Sequence, residues 1–389
     1  MLTMIHHNPL RIDGGVLSVD RKFLTGMQRY AQSLDTPIMA INPAMTSGGA
    51  NMDMVDVACK NLGFQVLTVN PNNPLENEVR LREQIARSSL VYGSPYLGWT
   101  DMAKSLGVPY ILTLEYDLKT QVITSGLTTN NRLKSYVRSL RAAKRYLTHD
   151  IPVMRRAALL HCNGYPIYEE ARLFNSNRLL YLDSRISADM VVAAEQLEDR
   201  LQQLGSRPLR LLFTGRYEPM KGADQSLRVA LECLRRGLNI EMHCYGQGSL
   251  RDTMVQLAQQ SPHADRVHVH EPLTYPELSK LVPEFDVFVC CHVQNDPSCT
   301  YLETFGAGVP IVGYANRMWR HLCAASRGGR VTPIGRIDAL VDEIAYLQSN
   351  PQVLKDLSRQ AREFALAHTF ENEFSLRINS IKEVMARKR

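Results

Sequence analysis

The second half of the chain repeats one pattern: a short apolar run, a polar corner that usually carries glycine, then a stretch with apolar residues at helical spacing. LRLLF passes through TGRYEPMKG into Leu227, Ala230, Leu231 and Leu234, a stripe that stops at Gly237. IEMHCYGQGS, RVHVHEPLT and VFVCCHVQND begin in the same way, and VPIVGY and GGRVT supply further strands. Strands alternating with helices dictate an α/β fold with a parallel sheet, since each strand needs a crossover before the next can run the same way. In such sheets ligands gather at the carboxyl ends of the strands, so those corners are where chemistry is sought first.

The first half has the same alternation in weaker form. LTMIHH, PIMAINP, FQVLTVN, SLVYGS and VPYILTLEY are short apolar runs separated by polar, helix-compatible stretches. Their carboxyl ends mark His6, His7, Tyr92, Glu115 and Tyr116 as cleft residues. The Gly14–Gly15 pair in RIDGGV fits either a tight turn or a close approach of a ligand to backbone. At 389 residues two domains are expected. The polar helix Asp189 to Leu204 and the following GSRP divide them, giving 1–188 and 207–369, with a last helix over 370–389.

No apolar run approaches the ~20 residues of a spanning helix. The opening MLTMIHHNPLRIDGG lacks the pattern of a signal peptide. The eight cysteines form no CxxC pair, and several lie in strand-like runs, which argues against disulfides and zinc and for a cytoplasmic location. A net charge of +6 suits anionic substrates or a membrane surface but is too mild for nucleic acid. Much of it is concentrated between Asn131 and Arg156, where Arg132, Lys134, Arg138, Arg141 and Lys144 alternate with Leu133, Tyr136, Val137 and Leu140. An amphipathic basic helix of this kind binds the inner face of an anionic membrane if its apolar side is exposed. If that side is docked on its own domain, the cations are merely a solvated face.

The most informative corner is QNDPSCTYLETFGAGVP, Gln294 to Pro310. A strand feeding a helix N-terminus presents free amides to an anion, and Glu303 follows within reach of neutral hydroxyls beside it. A merely structural strand–turn–helix with a hydrogen-bonded Glu fits this stretch alone equally well. Upstream, Arg216 and Lys221 flank the loop after the first strand of the second half, and Gly222 opens a helix. Two cations there suit a diphosphate, whose charge-assisted hydrogen bonds are worth roughly 1.5–3 kcal/mol each. Gly246 and Gly248 end the next strand where a flat ring approaches backbone, and Glu303 supplies a carboxylate for a ribose diol. In order, these residues describe a nucleoside diphosphate along the carboxyl edge of the second sheet.

GRYEPMKG, HCYGQGS, the DVFVCCHV strand and YLETFGAGVPIVGY, taken in this order, resemble the family 4 glycosyltransferases of the GT-B fold. The resemblance covers the whole second half, including the terminal HTFENEF segment; in the first half only the layout and the Gly-Gly loop match. It implies two Rossmann-like parallel-sheet domains facing across a cleft, with a C-terminal helix crossing back to complete the first. It implies transfer of a hexose-type sugar, with retention, from a nucleoside-diphosphate sugar to a glycan or glycolipid acceptor in cell-surface polysaccharide assembly. No metal or other cofactor is expected. By position, Arg216 and Lys221 hold the donor diphosphate and Glu303 the ribose. Ser298, Thr300 and Tyr301 line the phosphate and sugar pocket, the last two through their amides, and Gly15 approaches the donor phosphate on domain closure. The family pattern of Glu, seven residues, Glu places its first acidic residue at Asn295, so the neighbouring Asp296 is expected to take that role. Glu271 stands where the family usually has Gly, and Glu115, Tyr116 and Asp117 where a His is common. These departures keep a sugar-nucleotide epimerase and an inactive GT-B binding or scaffold protein open as alternatives.

Overall fold

The computed structural model describes residues 1–45, 54–70, 72–95, 98–126, 131–295 and 297–387. The chain forms two units: Met1–Tyr181 with Phe374–Arg389, and Leu182–Glu373. The first unit contains β1 (Leu2–Ile5), β2 (Arg11–Asp13), β3 (Val16–Asp20), β4 (Ile38–Pro43), β5 (Met54–Ala58), β6 (Gln65–Val69), β7 (Leu90–Gly93), β8 (Tyr110–Leu114), β9 (Leu159–Asn163) and β10 (Arg178–Tyr181). Seven of them form a parallel sheet in the order β10-β9-β8-β7-β1-β4-β6. β1 and β7 are buried along their whole length. That accounts for their continuous apolar sequences, since helices cover both faces of a parallel sheet.

β2 and β3 form an antiparallel hairpin, with β5 beyond β3. Gly14 and Gly15 are its two-residue turn, between paired Asp13 and Val16, with φ of 53° and 81°. Two consecutive positive φ values are what this turn requires, so turn geometry explains the glycine pair by itself.

Tyr92, expected at a cleft, is instead core. Its ring packs against Tyr30 and His161, because β7 is a central strand and its side chains point into the helix layers. Asp117 is likewise fully buried and accepts the Thr120 amide at 2.8 Å, capping the helix Leu118–Gly126. Glu115 and Tyr116 are exposed.

The second unit holds β11 (Leu209–Thr214), β12 (Ile240–Tyr245), β13 (Val267–His270), β14 (Val287–Cys290), β15 (Ile311–Tyr314) and β16 (Gly329–Thr332). Their order is β13-β12-β11-β14-β15-β16, and every pair is parallel. The central β14 and β15 are wholly buried, whereas β12 alternates between buried and half-buried positions towards the sheet edge. The segment 182–206 was expected to be the tail of the first domain and a linker, but it belongs to this second unit. Its helix, Ala194–Gln202, buries Leu197 and Leu201, and Arg200 donates to the carbonyls of Pro283, Ala307 and Gly308 at 2.9, 3.0 and 2.6 Å. A buried guanidinium is tolerated because three carbonyl acceptors replace its water.

The C-terminal helix, Phe370–Ala386, carries the chain back to the first unit, as expected. Within the second unit, Glu373 accepts the Leu182 amide at 2.8 Å, joining that unit's first and last residues. Beyond it, Phe374 packs on Tyr30, Arg377 lies over the Tyr181 ring, and Ser380 Oγ is 2.8 Å from His161 Nε2. Burial pushes the His161 imidazole down to about 3.

Candidate functional site

The carboxyl ends of β11, β12 and β14 lie side by side in the second sheet, and their loops interlock through glycine. A Cβ on Gly246 would stand 1.9 Å from the Gly215 carbonyl oxygen, and one on Gly248 would stand 2.5 Å from that of Tyr217. The loop after β11, which carries Arg216, is therefore pressed against the loop after β12. The Tyr217 amide donates to Gln247 O at 2.8 Å, and Leu250 N donates to Tyr217 O at 2.9 Å. Glu218 accepts from the Ser249 hydroxyl at 2.7 Å and amide at 3.1 Å. Those two bonds hold its carboxyl below the usual range. Arg216 itself is exposed at the rim of this rigid pair of loops.

Lys221 ends a short turn, Pro219–Lys221, and is buried. Gly222 follows at φ 59°, and its Cβ would fall 2.2 Å from Cys291 O. Only glycine permits this left-handed residue to touch the exit of β14 while starting the helix Ala223–Arg235. Val293 N donates to Met220 O at 3.2 Å across the same contact. Lys221 is thus fixed where β14 leaves the sheet and a helix begins, the arrangement that favours anions.

After β14 the chain runs through His292, Gln294 and Asn295, all buried. Asn295, at the position of the family's first acidic residue, accepts the Arg317 amide at 2.9 Å and so serves the start of the helix Arg317–Ser326. Asp296 lies outside the described residues. The Ser298 hydroxyl donates to Thr300 Oγ1 at 3.2 Å, and the Tyr301 amide donates to Ser298 O at 3.3 Å. The Tyr301 ring is a core residue stacked on Trp319 at 5.8 Å, so only its backbone faces the corner.

Glu303 sits in the short helix Thr300–Gly306 and lines a small pocket with Thr214, Ile186, Tyr275 and Ser279. Thr214 is the last residue of β11, which puts Glu303 on the same strand edge as the Arg216 loop. Its Oε1 is 3.5 Å from Arg185 Nε, and Arg185 also lies over the Tyr275 ring at 5.5 Å. Burial opposes the Arg185 charge, but neighbouring acidic groups, Glu303 first, hold the guanidinium above its usual value. Arg185 escaped the sequence reading because DSRIS looks like a polar turn; the one signal was an arginine directly after a strand end. Glu271, in place of a usual glycine, pairs with Arg251 in the helix after the Gly248 loop.

Arg216, Lys221, Gly246 and Glu303 therefore share the carboxyl edge of one sheet. Gly15 belongs to the hairpin turn of the first unit. Among the other first-unit expectations, His6 packs edge-on against Phe23, and burial lowers its imidazole to about 3.

Residues 196–364 match the family described as Glycosyl transferases group 1. The alpha-D-kanosaminyltransferase of Streptomyces kanamyceticus is 23% identical over 186 residues, 48% of this chain and 48% of that protein. The chain thus matches that curated relative over about half its length. Among solved structures, HepE of Anabaena in complex with UDP superimposes with a TM-score of 0.68 at 14% identity, covering 99% of each chain. WaaG, a glycosyltransferase involved in lipopolysaccharide biosynthesis, gives 0.60 at 14% identity, covering 99% of this chain and 98% of its own. Sucrose-phosphate synthase of Thermosynechococcus elongatus gives 0.67 at 13%, covering 99% of each. At these identities the likeness fixes the fold, which is GT-B, with two Rossmann-like parallel-sheet domains.

Proposed function

We propose that this chain, whose residues 196–364 form a glycosyl transferases group 1 domain, is a retaining glycosyltransferase acting on a nucleoside-diphosphate hexose. The observation that carries this reading is the interlocked carboxyl edge. The Gly246 and Gly222 contacts fix Arg216 and Lys221 beside the corner that leads to Glu303. Arg216 and Lys221 neutralise the charge that grows on the leaving diphosphate, the contribution that usually dominates such transfers. Glu303 accepts from the ribose hydroxyls, with Arg185 holding its orientation until the nucleotide arrives. The leaving phosphate oxygen takes the acceptor proton on the same face, so the two cations supply what a metal ion would otherwise bring.

HepE has been crystallised with UDP-glucose, which makes UDP the first nucleotide to test. At about 100 times its dissociation constant a true ligand adds about 2.7 kcal/mol to folding stability. Lys221→Ala should lower kcat/KM at least ~100-fold and remove the stabilisation. If uridine, guanosine and adenosine diphosphates all leave the melting temperature unchanged, the donor site does not exist.

The acceptor side is read as a glycan or glycolipid presented at an anionic membrane. The helix Arg132–Arg145 has no buried residue, and Leu133, Tyr136 and Leu140 are 74%, 63% and 51% exposed. Its apolar side is thus open among Arg132, Lys134, Arg138, Arg141 and Lys144, the condition under which such a helix binds lipid. Among the described residues no helix is long and apolar enough to cross a membrane. Flotation with phosphatidylglycerol vesicles, but not phosphatidylcholine vesicles, is expected, and Leu133→Ser with Leu140→Ser should abolish it. A binding-only protein is the second reading, favoured by the commitment of Asn295 to the Arg317 amide. It requires that Lys221→Ala leave the biological phenotype intact.

A further inference from the structure

Glu241, His243 and His268 form a cluster that the sugar-nucleotide reading does not use. β12 and β13 pair with His243 opposite His268 and Tyr245 opposite His270. The alternation of β12 sends Ile240, Met242 and Cys244 into the core and leaves Glu241, His243 and Tyr245 on the other face. Glu241 Oε1 lies 2.9 Å from His243 Nε2 and 3.4 Å from His268 Nε2. One donor atom from each of the three lies within 4.8 Å of the other two. A tetrahedral ion with bonds of about 2.0–2.1 Å holds its ligands roughly 3.3 Å apart, which the two separations from Glu241 already approach and which lies within the 4.8 Å that bounds all three.

The surroundings favour ligation. The side chains of His243, Glu241 and His268 are 20%, 28% and 33% exposed, enough for an ion to enter and keep a water. His243 Nδ1 faces His270 Nε2 at 3.1 Å, the outer partner that sets which imidazole nitrogen is free for metal.

We propose that Glu241, His243 and His268 form a divalent transition-metal site, of the imidazole–carboxylate class that suits zinc, at the edge of the second sheet. The ion joins β12 to β13 and has a route to the donor loops, because His270 O accepts the Tyr217 hydroxyl at 3.0 Å. Its role is that of a clamp, separate from the transfer chemistry and independent of whether that reading holds.

The test uses the full chain, free of any tag and stripped with a chelator that is then removed. Titration with Zn2+ by calorimetry and with Co2+ by visible absorption should give one site per chain, with the intense bands of low-coordinate Co2+. Zn2+ should raise the melting temperature. Glu241→Gln and His268→Gln, at half-exposed positions, should abolish uptake while circular dichroism stays native. His270→Gln should weaken binding 10–100-fold, and Lys221→Ala should bind as the parent chain does. Uptake that survives Glu241→Gln with His268→Gln would place the metal on other groups, such as the thiols of Cys59, Cys299 or Cys323, and overturn the proposal. So would the absence of any uptake at millimolar Zn2+.

Discussion

The turn glycines of the first unit and the loop glycines of the second follow strands in similar sequence contexts, yet they answer different needs. Gly14 and Gly15 adopt positive φ, and a Cβ on either would meet nothing within 4 Å. They serve the conformation of a hairpin. Gly222 and Gly246 instead stand where a Cβ would fall 2.2 and 1.9 Å from backbone carbonyl oxygens. They serve the approach of one loop to another. The first kind of glycine can be replaced at the cost of strain alone, while the second holds Arg216 and Lys221 at fixed positions and cannot be replaced without moving backbone.

Gly246→Ala is the sharpest way to break this contrast. It should cost about 3 kcal/mol or more, since no flexible side chain can yield to the new methyl group. It should also lose nucleotide-dependent stabilisation. Urea unfolding with and without UDP measures both, and a cost no greater than that of Gly15→Ala would erase the distinction.

Acidification should come next, and it should strike the first unit. His161 is depressed to about 3 by burial, whereas in the unfolded chain it titrates near 6.5. The unfolded state therefore binds the proton first, and stability held above pH 6.5 is lost progressively as the pH falls towards about 3. Between pH 7 and pH 5 this amounts to about 2 kcal/mol. Trp99 lies in the core of the first unit and Trp319 in that of the second, so single-tryptophan variants resolve the two transitions. Equal acid sensitivity in both would show that the buried imidazoles of the first unit, His161 and His6, do not govern it. The smallest effect is Gly15→Ala, at about 1 kcal/mol from left-handed strain, measured by the same unfolding curves with nucleotide affinity alongside. A loss of affinity out of proportion to that strain would tie Gly15 to nucleotide binding.

The same contrast explains what could be read in the chain. The carboxyl-edge residues were legible because glycine corners and apolar runs are contiguous in sequence, so Arg216, Lys221 and Glu303 fell where parallel-sheet geometry puts ligands. Relations between distant segments were not. Arg200 sits in a polar stretch that reads as linker, and only the carbonyls of Pro283, Ala307 and Gly308 reveal its purpose. Tyr92 and Asp117 can face water or be buried, and central-strand packing and a helix cap decided for burial. Glu241 and His268 meet only through the register of β12 with β13, although two alternating sequences, IEMH and VHVH, held the signal.

The C-terminal helix has a consequence for how the protein is made. The ribosome releases the first 181 residues early, but Tyr30, Tyr181 and His161 wait for Phe374, Arg377 and Ser380. Roughly 200 residues at 5–20 per second is on the order of 10–40 s. The second unit, continuous from Leu182 to Glu373, emerges whole within that time. Translation thus favours completing the second unit first, leaving the first open until the last turns of the chain arrive.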